Sequence, residues 1–411
     1  MERILDGVRV LDFTWALAGP WCTRLLADGG AEVIKVEQPG RRSVFMRSIP
    51  PAKDGYSPWS MYSNWGKKSL CLSLKKQEGR EIALELSRSC DVVVENFRPG
   101  VMKRLGLDYT DFQKVNPAII MCSVSGFGQY GPLKDNMCAD RLVQAYSGLL
   151  DLTGEPDQTP VFFGTAIGDT CGGIHAWGAI CAALFNREKT GKGHYIDISL
   201  VDSLFAQHEF AVGNEALGLE RIHRFGHHHQ TVAPAGIYKM GDRYVALSAA
   251  ENIAFVRLAK LMDKPELAKD PRFDTPEHRT SNVEALSREI EEWTQKFDDV
   301  QVVVDLLQSN RIMAAPLMTV PELMNDPHIL ARQMLVEIEH PSLGPMKVLN
   351  SPVRFSDPGA GVQGLPPLSI GEHTEEILSD LLHFDAQKIR GLREREIVFT
   401  KDDKQPQDPA E

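Results

Sequence analysis

One carboxylate in this sequence stands where a protein can hold a nucleophile. Asp169 lies in the stretch IGDTCGG, between glycines and ahead of a long run of small and apolar residues. Small residues such as Gly172, Gly173 and Ala176 predict a helix that another backbone or a ligand can approach closely. Asp169 would begin that helix, where the dipole and unpaired N–H groups favour an ionised, nucleophilic carboxylate. The same position equally suits an ordinary N-cap residue.

Two other groups of reactive side chains are weaker candidates. Cys171 carries a thiol, but no base is close to it in the sequence, and small buried cysteines are common. The seven cysteines include no CxxC pair, so we expect reduced thiols. His227, His228 and His229 are adjacent, and consecutive histidines cannot all face one ion. The sequence therefore predicts no metal site.

Composition limits the class of protein. A length of 411 residues predicts two or three domains, and 43% hydrophobic with 25% charged residues is typical of a soluble globular chain. A net charge of -11 argues against a nucleic-acid partner. The N-terminus lacks a signal-type apolar run, and no stretch is long enough to span a membrane. We therefore expect no membrane partner and a cytoplasmic location.

The first half of the chain predicts a parallel α/β sheet. A strand at 8–13, a helix at 18–26 and a strand at 32–37 form a βαβ unit. Further strands are predicted at 69–74, 91–95, 119–124 and 194–198. The first turn, DFTWALAGPW, has no GxGxxG motif, so the sheet is expected to bind something other than a dinucleotide.

The second half of the chain changes character. A hairpin at 236–249 precedes helices at 253–262, 283–296 and 300–310, and strand patterns return after residue 331. Two α/β-like ends, 1–216 and 331–411, thus flank a different middle segment, 217–330.

Taken together, motifs along nearly the whole chain resemble the class III CoA-transferase family, which includes α-methylacyl-CoA racemase relatives. The motifs are VRVLDFTWALAGPWCTRLLADGGAEVIKVEQPG, NWGKKSLCLSLKKQEGRE, DVVVENFRPGVMKRLGL, NPAIIMCSVSGFGQYGP, IGDTCGG, REKTGKGHYIDISLVDS, APAGIYKMGDRYVAL and GEHTEEIL. The resemblance implies a large Rossmann-like, doubly wound domain built from both chain ends and a smaller α+β domain. It also implies an interlocked homodimer, no tightly bound cofactor, and CoA and acyl-CoA as substrates.

The resemblance also assigns binding residues. It carries CoA contacts onto Ala18, Leu72, Lys75, Asn96, Phe97, Arg98 and Arg104. CoA phosphates favour Lys and Arg, which fits this set. Taken without the resemblance, Lys75 and Arg104 are ordinary solvated charges. The sequence departs from the family at Leu17 and Gln38, and it lacks a glycine-rich loop at LSAAENIA, so no loop closure is predicted.

Three functions fit the resemblance. A CoA-transferase needs one nucleophilic carboxylate, and Asp169 would carry CoA as an aspartyl-CoA thioester. A racemase of the α-methylacyl-CoA type needs two acid–base groups, but Ala139 stands where its histidine is expected. A non-catalytic acyl-CoA binder is the second alternative. Trp15, Tyr130, Ala139 and Asp140 are expected to line the acyl pocket, and none of them distinguishes one acid from another. Because a racemase would need a second acid–base group where Ala139 stands, and a transferase needs only the carboxylate of Asp169, we expect a CoA-transferase.

Overall fold

A computed structural model describes residues 3–356, 359–404 and 406, and the chain divides into two compact units. The larger unit contains Met1–Ser147, Gly164–Gln207 and Pro327–Glu411, and the smaller contains Gly148–Phe163 and His208–Asp326. The sequence placed the changes between domains at 216/217 and 330/331. In the structure the chain leaves the larger unit after Ser147 and returns to it at Gly164. It leaves again after Gln207 and returns at Pro327.

The strands of the described residues are short and are numbered along the chain. They are β1 (Arg9–Asp12), β2 (Glu32–Glu37), β3 (Lys67–Leu72), β4 (Val92–Glu95), β5 (Ile120–Ser125), β6 (Tyr195–Ser199), β7 (Ala235–Met240), β8 (Arg243–Ser248), β9 (Met313–Pro316), β10 (Leu335–His340), β11 (Gly344–Leu349) and β12 (Val398–Phe399).

The helices are numbered in the same way. They are α1 (Ala18–Asp28), α2 (Arg41–Arg47), α3 (Pro58–Tyr62), α4 (Gln77–Ser87), α5 (Val101–Leu105), α6 (Tyr109–Val115), α7 (Asp140–Tyr146), α8 (Ile167–Thr190), α9 (Leu200–Phe205), α10 (Ala211–Leu217), α11 (Asn252–Leu261), α12 (Pro276–Ser281), α13 (Val283–Thr294), α14 (Val300–Ser309), α15 (Val320–Leu323), α16 (Pro327–Ala331), α17 (Thr374–Leu382) and α18 (Ala386–Glu394). Among these described helices, none is both long and apolar enough to cross a bilayer.

The larger unit is built on one sheet with the strand order β12-β3-β2-β1-β4-β5-β6. Its strands are parallel, apart from β12, which pairs antiparallel to β3 through Val398 and Leu72. Apolar runs such as VVVE in β4 are buried, as expected of parallel strands covered on both faces. The order 3-2-1-4-5-6 is that of a doubly wound sheet, whose ligand crevice lies where the order reverses, beyond β1 and β4. The predicted α/β sheet is confirmed.

A buried ion pair ties three elements together beneath this crevice. The Asp12 carboxylate accepts hydrogen bonds from Thr23 Oγ1 of α1 (2.7 Å) and Lys67 Nζ of β3 (3.0 Å), and both side chains of the ion pair are 0% exposed. Burial alone would raise the pKa of Asp12, but the charges of Lys67 and Lys35 together with hydrogen bonds from Thr14 and Thr23 outweigh it and lower the pKa. Burial lowers the pKa of Lys67 to about 8, against the pull of Asp12. The pair holds β1 and α1 in place at the end of β1.

The long helix α8 packs closely on α1 because its first turns carry glycine. A Cβ on Gly173 would lie 2.7 Å from the Ala18 carbonyl oxygen and 2.9 Å from Trp21 Cδ1. These distances are shorter than van der Waals contact, so a larger residue at this position would push the two helices apart. The small-residue pattern of the sequence thus serves close helix packing, which sets the position of the start of α8.

The smaller unit has its own core around the antiparallel sheet β7-β8-β9 and helices α11, α13 and α14. Arg279 of α12 is buried there and donates to the carbonyl oxygens of Ala233 (3.0 Å), Phe273 (3.1 Å) and Ala250 (2.6 Å). Its guanidinium lies 4.7 Å from the centre of the Phe255 ring. The predicted hairpin at 236–249 is present as β7 and β8.

Candidate active site

Asp169 lies in the first turn of α8, the helix that packs on α1. Ala166 occupies the N-cap position, and no side chain of its own caps the helix. Ala166 instead packs against an apolar cluster formed by Leu17, Trp21 and Leu25. The start of α8 therefore depends on tertiary contacts, and its free N–H groups need a partner from elsewhere in the chain.

That partner is Asp140, the first residue of α7. Asp140 Oδ1 accepts hydrogen bonds from the backbone N–H groups of Gly168 (2.8 Å) and Asp169 (3.1 Å). Its other oxygen, Oδ2, accepts a hydrogen bond from Gln144 Nε2 at 2.6 Å. Both carboxylate oxygens of Asp140 are therefore bonded to the protein.

The carboxylate of Asp169 is in the opposite situation. Within residues 3–356, 359–404 and 406, no hydrogen bond reaches its oxygens. Burial, and secondarily the nearby charge of Asp140, raise the pKa of Asp169 to about 7. The sequence predicted that the helix start keeps this carboxylate ionised, but burial first and the charge of Asp140 second raise its pKa, and Asp140 also accepts from the N–H groups of Gly168 and Asp169. Near neutral pH, Asp169 exists both as acid and as carboxylate.

A second polar contact shapes the crevice where the strand order reverses. The Asn96 side chain, after β4, accepts a hydrogen bond from Trp15 N (2.9 Å) and donates one to Trp15 O (2.8 Å), after β1. The next residue, Ala16, has a φ of 62°, a left-handed conformation that costs a non-glycine residue free energy. The two loops are therefore held together in one defined shape at the place where doubly wound sheets bind ligands.

The residues expected to contact CoA follow strands whose carboxyl ends share this edge of the sheet. Ala18 begins α1, Leu72 ends β3 in the core, and Asn96 and Phe97 follow β4. Lys75, Arg98 and Arg104 are exposed. Lys75 and Arg98 lie on the loops that follow β3 and β4, whereas Arg104 lies on α5. The role of all seven residues as CoA contacts remains a prediction.

The residues expected to line the acyl pocket are less uniform. Trp15 is partly buried, Tyr130 is 81% exposed, and Ala139 is the N-cap of α7, with no side chain that can accept a hydrogen bond. Asp140 lies beside Asp169, as described above. Ala139 carries no acid–base group, so the position expected to hold the racemase histidine lacks one here.

Two alternative reactive groups lack the right surroundings. Cys171 Sγ lies 3.6 Å from His175 Nδ1, but that nitrogen also lies 2.9 Å from the Cys171 carbonyl oxygen, and burial raises the pKa of the thiol. The rings of His227 and His228 pack against each other with centroids 4.0 Å apart, and each ring lies beside a different carboxylate, Glu155 and Glu284 respectively. In the described part of the chain, no three His, Cys, Asp or Glu side chains lie close enough to hold a metal ion.

The sequence model of CoA-transferase family III matches residues 5–374 of the chain. The chain belongs to this family. The family assignment made from the sequence motifs is therefore confirmed, and this protein is a family III CoA-transferase, an enzyme that transfers CoA between acyl-CoA thioesters and acids.

Relatives of this CoA-transferase match almost its whole length. It is 35% identical to succinyl-CoA:glutarate CoA-transferase of Homo sapiens over 96% of this chain and 90% of that protein. It is also 35% identical to succinyl-CoA–D-citramalate CoA-transferase of Chloroflexus aurantiacus, over 96% and 98% of the two chains. A solved CAIB/BAIF family protein from Brucella suis superposes with a TM-score of 0.83 at 33% identity, covering 93% of this chain and all of that one.

Sequence reasoning about this CoA-transferase missed Gln144. Its fully buried side chain holds the carboxylate that caps α8. Asp140 and Gln144 stand four residues apart, a spacing that brings side chains together on a helix, and this was the available signal. The contact of α7 with the start of α8 had no local signal, because it joins residues 28 and 29 positions apart.

Proposed function

We propose that this enzyme transfers CoA through a covalent thioester on Asp169. The observation that carries the proposal is the contrast between two neighbouring carboxylates. Both oxygens of Asp140 accept hydrogen bonds from the protein, whereas the carboxylate of Asp169 is partly buried and has none among the described residues. A carboxylate that is neither hydrated freely nor bound to a donor is a stronger nucleophile than one that is.

The reaction proceeds in four substitutions at acyl carbons. The ionised Asp169 attacks the donor thioester, which forms a mixed anhydride and releases CoA thiolate. The thiolate attacks the aspartyl carbonyl, which frees the donor acid and leaves an aspartyl-CoA thioester. The acceptor carboxylate attacks that thioester, again giving an anhydride and thiolate. Attack of the thiolate on the acceptor's acyl carbon gives the new acyl-CoA and restores Asp169.

Each tetrahedral intermediate needs a hydrogen-bond donor for its oxyanion. The backbone N–H groups of Gly168 and Asp169 are the nearest candidates on α8, but both already donate to Asp140. The oxyanion donors are therefore other groups.

We propose succinyl-CoA as the donor and a small dicarboxylic acid as the acceptor. The support is the activity of the two relatives above, which share the succinyl-CoA donor and act on glutarate and D-citramalate. A panel of acyl-CoA donors and free acids, followed by mass spectrometry of the products, tests this choice. Transfer confined to monocarboxylic acids would contradict it.

The covalent step predicts a trappable residue. When the enzyme is incubated with acyl-CoA and no acceptor, hydroxylamine should convert the activated carboxyl of Asp169 into a hydroxamate and inactivate the enzyme. Peptide mass spectrometry should place the change on the peptide that contains Asp169. Without acyl-CoA, hydroxylamine should have no effect, since a free carboxylate does not react with it. Labelling of Cys171 in place of Asp169 would overturn the mechanism.

The proposed CoA contacts predict a selective loss of affinity. Replacing Lys75 or Arg104 by alanine should weaken binding of acyl-CoA by about tenfold to a hundredfold, since a charge-assisted hydrogen bond contributes about 1.5–3 kcal/mol. Turnover of bound substrate should change little. Calorimetry with CoA measures the affinity, and Lys103→Ala, next to Arg104 on α5 and equally exposed, is the matched control. Equal affinities in all variants would make both residues ordinary surface charges.

We also propose a homodimer. The support is the resemblance described above and the large apolar side chains that α8 exposes, with Ile174 50% and Phe185 64% exposed. Isolated exposed apolar residues are normal, but repeated ones along one helix favour a protein partner. Light scattering at micromolar concentration should report the mass of two chains, and an active species with the mass of one chain would exclude the dimer.

A further inference from the structure

The start of α8 is capped by a residue from another helix. Asp140 Oδ1 accepts from the N–H groups of Gly168 and Asp169, and Gln144 fixes Asp140 Oδ2 from one turn further along α7. Gly168 allows this close approach, since a Cβ there would lie 3.0 Å from Asp140 Oδ1 and 3.3 Å from Val143 Cγ1. Gln144 and Val143 are fully buried, so the arrangement is packed on the protein side.

We infer that Asp140 is a positioning residue of the transferase, which fixes the first turn of α8 and imposes a negative charge beside the Asp169 carboxylate. This inference rests on the proposed role of Asp169. A direct contact of Asp140 with substrate is disfavoured, because a carboxylate whose two oxygens already accept three hydrogen bonds from the protein has little capacity left for a ligand.

Asp140 is the charged group that acts on Asp169. Asp140 from α7 and Cys138 from the segment before it both interact electrostatically with the Asp169 side chain. Burial, and then the charge of Asp169, raise the pKa of the Cys138 thiol to about 11, so this thiol is neutral at pH 7. A carboxylate near a like charge is a stronger base and is easier to protonate. Asp140 thereby keeps Asp169 reactive while holding its backbone still.

Two substitutions separate the two effects. Asp140→Asn removes the charge but keeps an oxygen that can accept from the N–H groups of Gly168 and Asp169. The side-chain amide of Gln144 then flips, so that its oxygen accepts a hydrogen bond from the new asparagine amide. Asp140→Ala removes both charge and cap. Asp385→Asn is the matched control, since Asp385 also caps a helix, accepting from Lys388 N at 2.7 Å, and lies at the start of α18.

A titration that does not depend on activity tests the charge. In protein labelled with ¹³C at aspartate side chains, the Asp169 resonance is the one lost in Asp169→Asn. Its midpoint, expected near pH 7 in the wild type, should fall by about one unit in Asp140→Asn. It should not move in Asp385→Asn. An unchanged midpoint in Asp140→Asn would overturn the inference, whether or not the enzyme proves to use Asp169.

Steady-state kinetics tests the positioning. In Asp140→Ala, kcat should fall about tenfold to a hundredfold while KM for acyl-CoA stays within about threefold of the wild type. In Asp140→Asn, the midpoint of the pH profile of kcat/KM should shift to lower pH by the same amount as the midpoint of the Asp169 resonance. A rise in KM for the acceptor acid with unchanged kcat would instead make Asp140 a substrate contact. One combination of results separates the two proposals. If Asp169→Asn retains turnover and the midpoint of the Asp169 resonance still falls in Asp140→Asn, the proposed function has failed and the charge effect stands.

Discussion

Asp169→Asn should lower the turnover number for CoA transfer by about three orders of magnitude or more, because the amide keeps the size of the side chain and cannot form the anhydride. Affinity for acyl-CoA should survive, since the exposed cations proposed to bind CoA are untouched. Asp202→Asn is the control, an exposed aspartate in the first turn of α9. Asp169→Ala guards against deamidation of the asparagine. Near-wild-type turnover in the alanine variant would remove Asp169 as the nucleophile.

The same variant should change stability with a definite dependence on pH. The pKa of Asp169 in the folded chain, about 7, lies above its ordinary value of 3.8, so the native state binds the proton more tightly than the unfolded chain does. Ionisation of Asp169 therefore lowers stability progressively between about pH 4 and pH 7, and the full cost applies above pH 7. The thermal midpoint of Asp169→Asn should exceed that of the wild type at pH 8 and match it at pH 4. Such a gain would show that the ionised side chain of the proposed nucleophile lowers the free energy of unfolding.

Asp12→Ala should lower the stability of the fold more than any substitution at the active site. It would leave the ammonium of Lys67 buried without a carboxylate, and breaking one side of a buried pair costs about 3–5 kcal/mol. The thermal midpoint of the larger unit should fall by about ten degrees. The loop that carries Trp15 should also lose order, because Asp12 accepts a hydrogen bond from Thr14 N at 2.8 Å just before it, and Asn96 is bonded to that loop through Trp15.

The control for this prediction is a pair on the surface. Glu85 and Arg88 form an ion pair at 2.7 Å, with both side chains more than half exposed. Exposed pairs of this kind contribute about 0–1 kcal/mol, so Glu85→Ala should leave the midpoint almost unchanged. In the double variant Asp12→Asn with Lys67→Met, part of the lost stability should return, because neither charge is then buried alone. Equal midpoints for Asp12→Ala and Glu85→Ala would contradict the argument.

Local pattern was enough to predict most of the elements. Strand β2 has the bounds 32–37 that the sequence predicted, strand β4 begins one residue later than predicted, and strand β5 is shifted by one residue at both ends. Almost every residue of these strands is buried, and burial on both faces of the sheet leaves one register that fits. Near the C-terminal end, α17 and α18 are two separate helices, since His383 adopts a left-handed φ of 55° between them. No simple composition rule signals such a residue.

The sequence by itself determined the family and the parallel α/β sheet, because both depend on residue types in a fixed order along the chain, and it also predicted Asp169 as the nucleophile. Only the tertiary structure decided the state of that carboxylate. The sequence placed Asp169 at a helix start and predicted an ionised side chain, but the helix N–H groups are taken by Asp140, which comes from a helix that precedes α8 by about twenty residues. Burial and like charge depend on which distant groups meet in space, and no local pattern specifies that meeting.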